Sequence, residues 1–380
     1  MKKIGILTQY LHSKNIGGLL QAYALPRFLN SLGYKVEQVT FDFNHIPACN
    51  KWQQFRLLWA KFTLNKLKNK LTPLSEKKIF PPVQNSLLEI FEQAIPHSTH
   101  IYTSNELINA NQNYNAFVIG SDQVWCDAFF PLSAFWGEFA APNKKVISYA
   151  ASSSVKQFIP YAEKIFIKKL QRLDAISVRE KTLKDYIERI TDKKADVVLD
   201  PTFLLSKQEW LKIANPAVVP NQKYIFCYFL GGKSAWQRKA ARAYSDKYGY
   251  ELVHLPYIMQ NIRPADIYLK GQGRYDVGPR EFISLINGAE CVFTDSFHGM
   301  AFSINFNKDF YVFNRDDKDG INSMTSRITD TLAMFGLTDR HITDKNAVLE
   351  SKTIDYTDTN KILNQKKEFS ANWLLNALKD

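Results

Sequence analysis

Short apolar runs alternate with amphipathic stretches along the 380-residue chain. An apolar run over residues 3–8, helical periodicity over 19–32 and a second apolar run over 35–42 predict a β-α-β unit. Pro26 lies inside this first helix and is predicted to kink or divide it, because proline removes a backbone donor. The alternation resumes with predicted strands over 116–119, 145–149, 175–178 and 197–199, and helices over 161–173 and 182–190.

The segment 200–220 breaks this alternation with three prolines and is the predicted domain boundary. A second series follows, with predicted strands over 224–230, 251–255, 290–294 and 310–313, and helices over 234–247, 279–287 and 299–305. The fold class is therefore predicted to be α/β, with two Rossmann-like domains facing a cleft. We predict domains over 1–205 and 206–355, and a C-terminal helix over 356–380 that packs back on the N-terminal domain.

Charge and composition narrow the expected partners. The chain has 49 Lys and Arg against 37 Asp and Glu, a formal charge of +12, which favours anionic partners. Neither an RNP pattern nor a DNA-reading helix motif is visible, so no nucleic acid is expected. Four scattered cysteines support neither a zinc site nor a disulfide framework. The longest apolar run, residues 224–230, is too short to span a bilayer, and we expect a cytoplasmic protein.

An insertion at about 45–100 is unusually basic and aromatic. Within residues 51–78, Trp52, Phe55, Trp59 and Phe62 recur at three- or four-residue spacing among eight basic residues and one acid. Such a helix is typical of peripheral contact with the inner face of the cell membrane. The alternative is a helix that packs its aromatic face on the N-terminal domain, and the sequence leaves both interpretations open.

Polar clusters follow four of the predicted strands, where α/β sheets bind ligands. Helix starts offer free N–H groups to anions, and a guanidinium can bind a carboxylate or phosphate with paired hydrogen bonds. Each cluster also has an ordinary structural explanation, as a turn, a helix cap or a surface ion pair. The candidate residues are Asn15, Gly17, Gly18 and Gln21; Ser121 and Asp122; Arg179; and Ser296, His298 and Gly299.

Six motifs in order resemble the polysaccharide pyruvyl transferase family, over about residues 3–340. They are GGLLQAYAL at 17–25, VIGSDQVW at 118–125, ISYAA at 147–151, ISVREK at 176–181, VLDPT at 198–202 and TDSFHG at 294–299. The resemblance implies a fold similar to GT-B glycosyltransferases. It also implies phosphoenolpyruvate as donor and a saccharide hydroxyl pair as acceptor. The product would be a cyclic pyruvate ketal on a bacterial surface polysaccharide, such as a capsule or exopolysaccharide, or on its lipid-linked precursor.

The resemblance implies catalytic roles for His298 and Arg179. His298 would protonate the donor's methylene carbon, because an imidazolium titrates near neutrality. Arg179 would hold the donor's carboxylate or phosphate, and Ser296 with the Gly299 backbone would complete that anion site. Asp122 would orient or deprotonate the acceptor hydroxyl. No metal-ligand cluster is visible, so neither a metal nor a cofactor is expected, and phosphoenolpyruvate acts as a co-substrate.

The chain departs from the family pattern at Ser296, where better-known members carry an arginine. Arg327, in a Ser-Arg-Ile sequence, is the candidate replacement, although an isolated arginine is more often a surface residue. Pro26 replaces a residue that is usually polar. Two alternative functions stay open: a GT-B glycosyltransferase using a nucleotide sugar, for which no acidic pair is evident, and a non-enzymatic basic module binding acidic glycan.

Overall fold

The computed structural model describes residues 2–42, 82–126, 133–153, 156–231, 235–256, 264–315 and 325–379. The predicted basic aromatic helix over 51–78 lies outside these ranges. The described residues form two parallel six-stranded sheets, one in each half of the chain. Both sheets carry helices in the connections between strands, which confirms the predicted α/β alternation.

The N-terminal sheet has the strand order β2-β1-β3-β4-β5-β6. Its strands are β1 (Lys3–Leu7), β2 (Lys35–Gln38), β3 (Ala116–Ile119), β4 (Lys145–Ala151), β5 (Ala175–Val178) and β6 (Asp196–Val197). Its helices are α1 (Ile16–Ser31), α2 (Pro82–Ala94), α3 (Pro160–Leu170) and α4 (Lys181–Ile190). The chain order reverses between β1 and β3, so the loops after these two strands flank a ligand-binding crevice of the usual kind.

The C-terminal sheet has the order β12-β11-β10-β7-β8-β9, the usual Rossmann order, with its reversal between β7 and β10. Two short helices, α5 (Pro201–Leu204) and α6 (Lys207–Leu211), connect it to the first sheet. Its strands are β7 (Tyr224–Tyr228), β8 (Glu251–His254), β9 (Gln272–Gly273), β10 (Cys291–Thr294), β11 (Asp309–Phe313) and β12 (His341–Ile342). Its helices are α7 (Ala235–Tyr248), α8 (Pro279–Gly288), α9 (Phe297–Asn305) and α10 (Ser326–Phe335), followed by α11 (Thr357–Leu378).

Helix α1 continues through Pro26, so the prediction that proline divides it is wrong. A proline at this position leaves the carbonyl of Ala22, four residues earlier, without its usual helical donor. The side chain of Gln38 supplies the missing hydrogen bond, donating from Nε2 to the Ala22 oxygen at 2.8 Å. The helix therefore tolerates proline because the end of β2 satisfies the orphaned carbonyl.

One hydrophobic cluster joins the two halves of the chain. Ile16, Leu19 and Tyr23 of α1 belong to it together with Phe282 of α8 and Phe302 of α9. The two sheets are consequently held together by a shared core rather than by a thin polar interface. The domain boundary near residue 205 stays a prediction.

Helix α11 returns from the C-terminal half to the N-terminal sheet. Leu374 and Leu378 lie in a cluster with Ile4 and Ile6 of β1. The Leu199 amide donates to the Ser370 hydroxyl at 2.9 Å. Among the described residues, no helix combines the length and apolar character needed to cross a membrane.

Candidate active site

Four loops at the carboxyl ends of strands bring polar side chains into one buried group. Asp122 follows β3, Arg179 follows β5, Asp200 follows β6, and His298 lies in the first turn of α9 after β10. Parallel strands present their carboxyl ends at one edge, which explains why positions far apart in the sequence meet here. The structure thus joins three of the predicted clusters and adds a carboxylate that was not predicted.

Arg179 is almost enclosed by carboxylates, with a side chain that is 2% exposed. Its Nε donates to Glu180 at 3.0 Å, and its Nη1 donates to Asp200 at 2.9 Å and to Asp122 at 3.4 Å. Nη2 is buried and has no hydrogen-bond partner in the described part of the chain. Burial alone would lower the pKa of Arg179, but the three carboxylates outweigh burial and raise it. Arg179 is therefore a fixed cation with one unused donor.

Asp200 is the acceptor at the centre of the site, and sequence reasoning missed it. Its Oδ2 accepts hydrogen bonds from Arg179 and from the Ser121 hydroxyl, at 2.9 and 3.2 Å. Burial would raise the Asp200 pKa, but His298, Arg179 and the hydrogen bonds from Thr202 hold it below its ordinary value. The signal was present, because Asp200 directly follows a predicted strand. Pro201 directed attention to a domain boundary instead.

His298 faces Asp200 across the cleft, with 3.8 Å between Nε2 and Oδ2. Its Nε2 is buried and lacks a hydrogen-bond partner among the described residues. Burial lowers the pKa of His298; Asp200 and Asp122 only partly offset this effect, and Arg179 and Arg327 add to it. In the unliganded protein the imidazole is therefore expected to be neutral at neutral pH.

Gly17 allows helix α1 to approach this imidazole. A Cβ on Gly17 would lie 2.1 Å from His298 Nδ1 and 2.4 Å from its Cγ. The glycine was predicted to permit close approach of a ligand to the helix start. In the structure, what approaches the backbone is the imidazole of the other domain.

The remaining predicted residues near α1 and β3 are engaged within the protein. Asn15 caps α1 by accepting a hydrogen bond from the Gly18 amide at 3.3 Å. Gln21 is buried and donates to the Thr8 hydroxyl and to the Gly18 carbonyl. Ser121 is buried and directs its hydroxyl toward Asp200 and the Ala150 carbonyl. These contacts support the loops that carry Gly17 and Asp122.

Ser296 and Gly299 shape the start of α9. The Ser296 hydroxyl is the N-cap and accepts a hydrogen bond from the Gly299 amide at 3.4 Å. A Cβ on Gly299 would lie 2.4 Å from Thr294 Oγ1, so helix and strand could not pack as closely with a larger residue. The helix begins at Phe297, and the predicted anion-binding amide of Gly299 is thus engaged in the cap.

Arg327 is buried at the start of α10, so its interpretation as a surface residue is wrong. Burial, Arg315 and Arg179 lower its pKa to about 9, against the opposing effect of Asp122 and Glu180. Arg327 therefore adds positive charge at the place where Ser296 replaces the family arginine. The Arg179 guanidinium also lies 4.1 Å from the Phe297 ring centre, a cation–π contact between the two halves.

This arrangement of two facing parallel sheets, with a polar site at their carboxyl edges, places the protein among enzymes of the GT-B fold. The model of the family described as polysaccharide pyruvyl transferase matches residues 15–317. The chain belongs to the polysaccharide pyruvyl transferase family, which confirms the family predicted from the six motifs. Arg327 lies beyond the matched residues.

Solved structures support the fold. A UDP-GlcNAc 2-epimerase from Methanocaldococcus jannaschii is similar with a TM-score of 0.51 at 12% identity, over 98% of this chain and 93% of that one. A UDP-GlcNAc 2-epimerase from Neisseria meningitidis, bound to UDP-GlcNAc, gives 0.47 at 12% identity, over 100% and 95%. A glycosyltransferase from Streptomyces nogalater gives 0.44 at 9% identity, over 99% of both chains. No curated protein matches the sequence at a significant level.

Proposed function

We propose that this enzyme transfers a pyruvyl group from phosphoenolpyruvate to two hydroxyls of a saccharide, forming a cyclic ketal. The acceptor is a bacterial surface polysaccharide or its lipid-linked precursor. Membership of the family supports pyruvyl transfer to a saccharide. The donor, the ketal and the residue roles are supported by the chemistry of the site.

The observation that carries the proposal is the pair of unused nitrogen atoms. Arg179 Nη2 and His298 Nε2 are both buried, and both lack a hydrogen-bond partner in the described ranges. A buried donor without an acceptor is costly, so such a pair favours a ligand that supplies oxygen atoms. Phosphoenolpyruvate supplies a carboxylate and a phosphate, and Arg327 adds a buried cation nearby.

The reaction balances with these groups. His298 gives a proton to the methylene carbon of the donor, and the first acceptor hydroxyl bonds to C2 while its proton returns to the imidazole. The C2–O bond to phosphate then breaks. The second hydroxyl bonds to C2, and its proton leaves with the phosphate. The products are the ketal carboxylate and hydrogen phosphate, and His298 ends the cycle in its starting state.

His298 acquires its proton when the donor binds. Its pKa is lowered in the unliganded protein. The negative charges of phosphoenolpyruvate would stabilise the imidazolium and raise that pKa. Asp122, 3.4 Å from Arg179 and 13% exposed, is the group placed to orient an acceptor hydroxyl. The proposed steps use neither a metal nor a cofactor, and turnover in EDTA tests that part.

Saccharide-dependent release of phosphate from phosphoenolpyruvate tests the proposal. We expect millimolar phosphoenolpyruvate to raise the Tm, because a ligand that binds only the folded state stabilises it. Methyl glycosides of galactose, glucose and N-acetylmannosamine are then screened as acceptors. His298→Asn should bind the donor but release little phosphate. A rise in Tm with UDP-GlcNAc, without one from phosphoenolpyruvate, would instead support a nucleotide-sugar transferase.

The site of action is part of the same proposal. We place the enzyme in the cytoplasm, where phosphoenolpyruvate is made, with segment 51–78 as the candidate contact with the inner membrane face. Liposome flotation of the wild type and of a Trp52→Ala, Trp59→Ala double variant measures that contact. Equal absence of binding by both proteins would remove the membrane from the proposal.

A further inference from the structure

Asp200 is held so that one of its oxygens serves the site. Oδ1 accepts hydrogen bonds from the amide and the hydroxyl of Thr202, at 3.0 and 2.8 Å. These bonds fix the carboxylate at the start of α5. Oδ2 accepts from Arg179 Nη1 and from Ser121, and it faces His298 Nε2 at 3.8 Å. Asp200 is thus the point where the arginine and the histidine of the site meet.

The imidazole of His298 lies between Asp200 and Gly17. Its Nδ1 edge packs on the Gly17 backbone, where even a Cβ would not fit, and its Nε2 edge faces Asp200. The 3.8 Å separation is beyond hydrogen-bond distance. Catalytic hydrogen bonds are often long in unliganded structures and shorten when substrate binds. An approach of about 1 Å would bring the two atoms within the ordinary N–H···O range.

The charges around His298 make Asp200 the principal stabiliser of an imidazolium. Arg179 and Arg327 oppose a charge on the ring, while Asp200 and Asp122 favour it. Of the two carboxylates, Asp200 lies within 4 Å of the ring nitrogen in the described structure. Helix α1 contributes the uncharged Gly17 to the same contact.

We propose that Asp200 is a positioning residue for pyruvyl transfer. When the donor is bound, its Oδ2 accepts a hydrogen bond from His298 Nε2, which keeps the imidazole protonated, while the same oxygen holds Arg179. Asp200 does not touch the donor; it acts through these two side chains. The inference rests on the function proposed above.

The test compares Asp200→Asn with wild type by NMR titration of the His298 imidazole in the full-length protein. Spectra are recorded without ligand and with saturating inorganic phosphate or phosphoenolpyruvate. We expect the variant to lower the pKa of liganded His298 by about one unit. The alkaline limb of the kcat profile should move down by a similar amount. At pH 7.5 kcat should fall about 100-fold, with a smaller change in KM.

Asp196→Asn is the matched control. Asp196 lies in β6 and accepts a hydrogen bond from Trp373 outside the site, at 2.8 Å. This variant should leave the His298 titration and the pH profile as in wild type. Equal titrations of His298 in wild type and Asp200→Asn would overturn the proposal, as would an equal shift in Asp196→Asn.

A second variant covers the case in which Asp200→Asn does not fold. Ser121→Ala removes one donor from Oδ2 and should raise the pKa of liganded His298 by a few tenths of a unit, because the carboxylate becomes a stronger acceptor. An unchanged pKa would contradict the inference. If wild type releases no phosphate from phosphoenolpyruvate, the proposed function fails. The titration with inorganic phosphate still decides whether Asp200 controls His298.

Discussion

The contact between Gly17 and His298 gives a prediction for a single methyl group. Gly17→Ala would place a Cβ 2.1 Å from Nδ1, so the imidazole must move away from its present position. Displacement of a reacting group by about 1 Å can cost about 100-fold in rate. We therefore expect kcat for phosphate release to fall about 10- to 100-fold in a folded protein.

Gly18→Ala provides the comparison on the next residue of α1. Its Cβ would meet Asn15 atoms at 3.5 Å, an ordinary contact. Replacing glycine by alanine inside a helix should stabilise it by about 0.5–1 kcal/mol. Chemical denaturation and kcat are measured for both variants. Similar losses of kcat in the two variants would contradict a specific contact between Gly17 and the imidazole.

The lowered pKa of His298 predicts how acid affects stability. Burial holds the pKa below the ordinary value of 6.5, so the unfolded chain takes up this proton first as the pH falls. The stability of the folded state therefore decreases as the pH falls below about 6.5. His298→Gln lacks this titration and should lose less Tm than wild type between pH 7.5 and 5. Parallel curves of Tm against pH would show that His298 does not carry this effect.

Residue chemistry was predictable from the sequence where it followed the strand ends. Arg179 and His298 were found because they follow apolar strands directly. The partners of Arg179 were not found, because Asp122 and Asp200 come from other loops that only the fold brings within hydrogen-bond distance. Gly17 and Gly18 were also indistinguishable in the sequence, since their difference arises from the imidazole of the opposite domain.

At the scale of elements, α1 and β2 form a compensating pair that a double-mutant cycle can test. Gln38→Met should leave the Ala22 carbonyl without its side-chain donor and cost about 1–3 kcal/mol. In a Pro26→Ala background the backbone N–H returns, so the same substitution should cost less than half as much. Urea unfolding of the four proteins measures the difference. Equal costs in both backgrounds would show that Gln38 does not substitute for the missing donor.

The central strands were predicted well because parallel strands buried on both faces are continuous apolar runs. The strands over 116–119 and 175–178 have the predicted bounds. The two-residue strands β9 and β12 were not predicted. Each is defined by backbone pairing with a neighbour, β8 or β11, rather than by a pattern in its own side chains.

For the whole molecule, the shared core predicts a single unfolding transition. Side chains of α1 and α2 pack in one cluster with side chains of α8, α9 and β10. Neither sheet can therefore unfold without exposing apolar surface of the other. We expect scanning calorimetry to show one transition with equal calorimetric and van't Hoff enthalpies. Two resolved transitions would contradict this coupling.

The two-domain architecture followed from the repeated alternation of strands and helices, but the joint between the domains did not. That joint depends on side chains such as Phe297, which packs on Arg179, and Asp330, which accepts a hydrogen bond from the Thr182 amide at 2.7 Å. These partners come from opposite halves of the chain, and nothing in their local sequence identifies them.

The return of α11 to the first sheet has a consequence for synthesis on the ribosome. The N-terminal sheet gains Ser370, Leu374 and Leu378 only after the whole second sheet has been translated. At about 5–20 residues per second, that delay after β6 is roughly 9–35 s. During this interval the nascent N-terminal half presents an uncovered apolar face, which makes it a natural client for chaperones that hold incomplete chains.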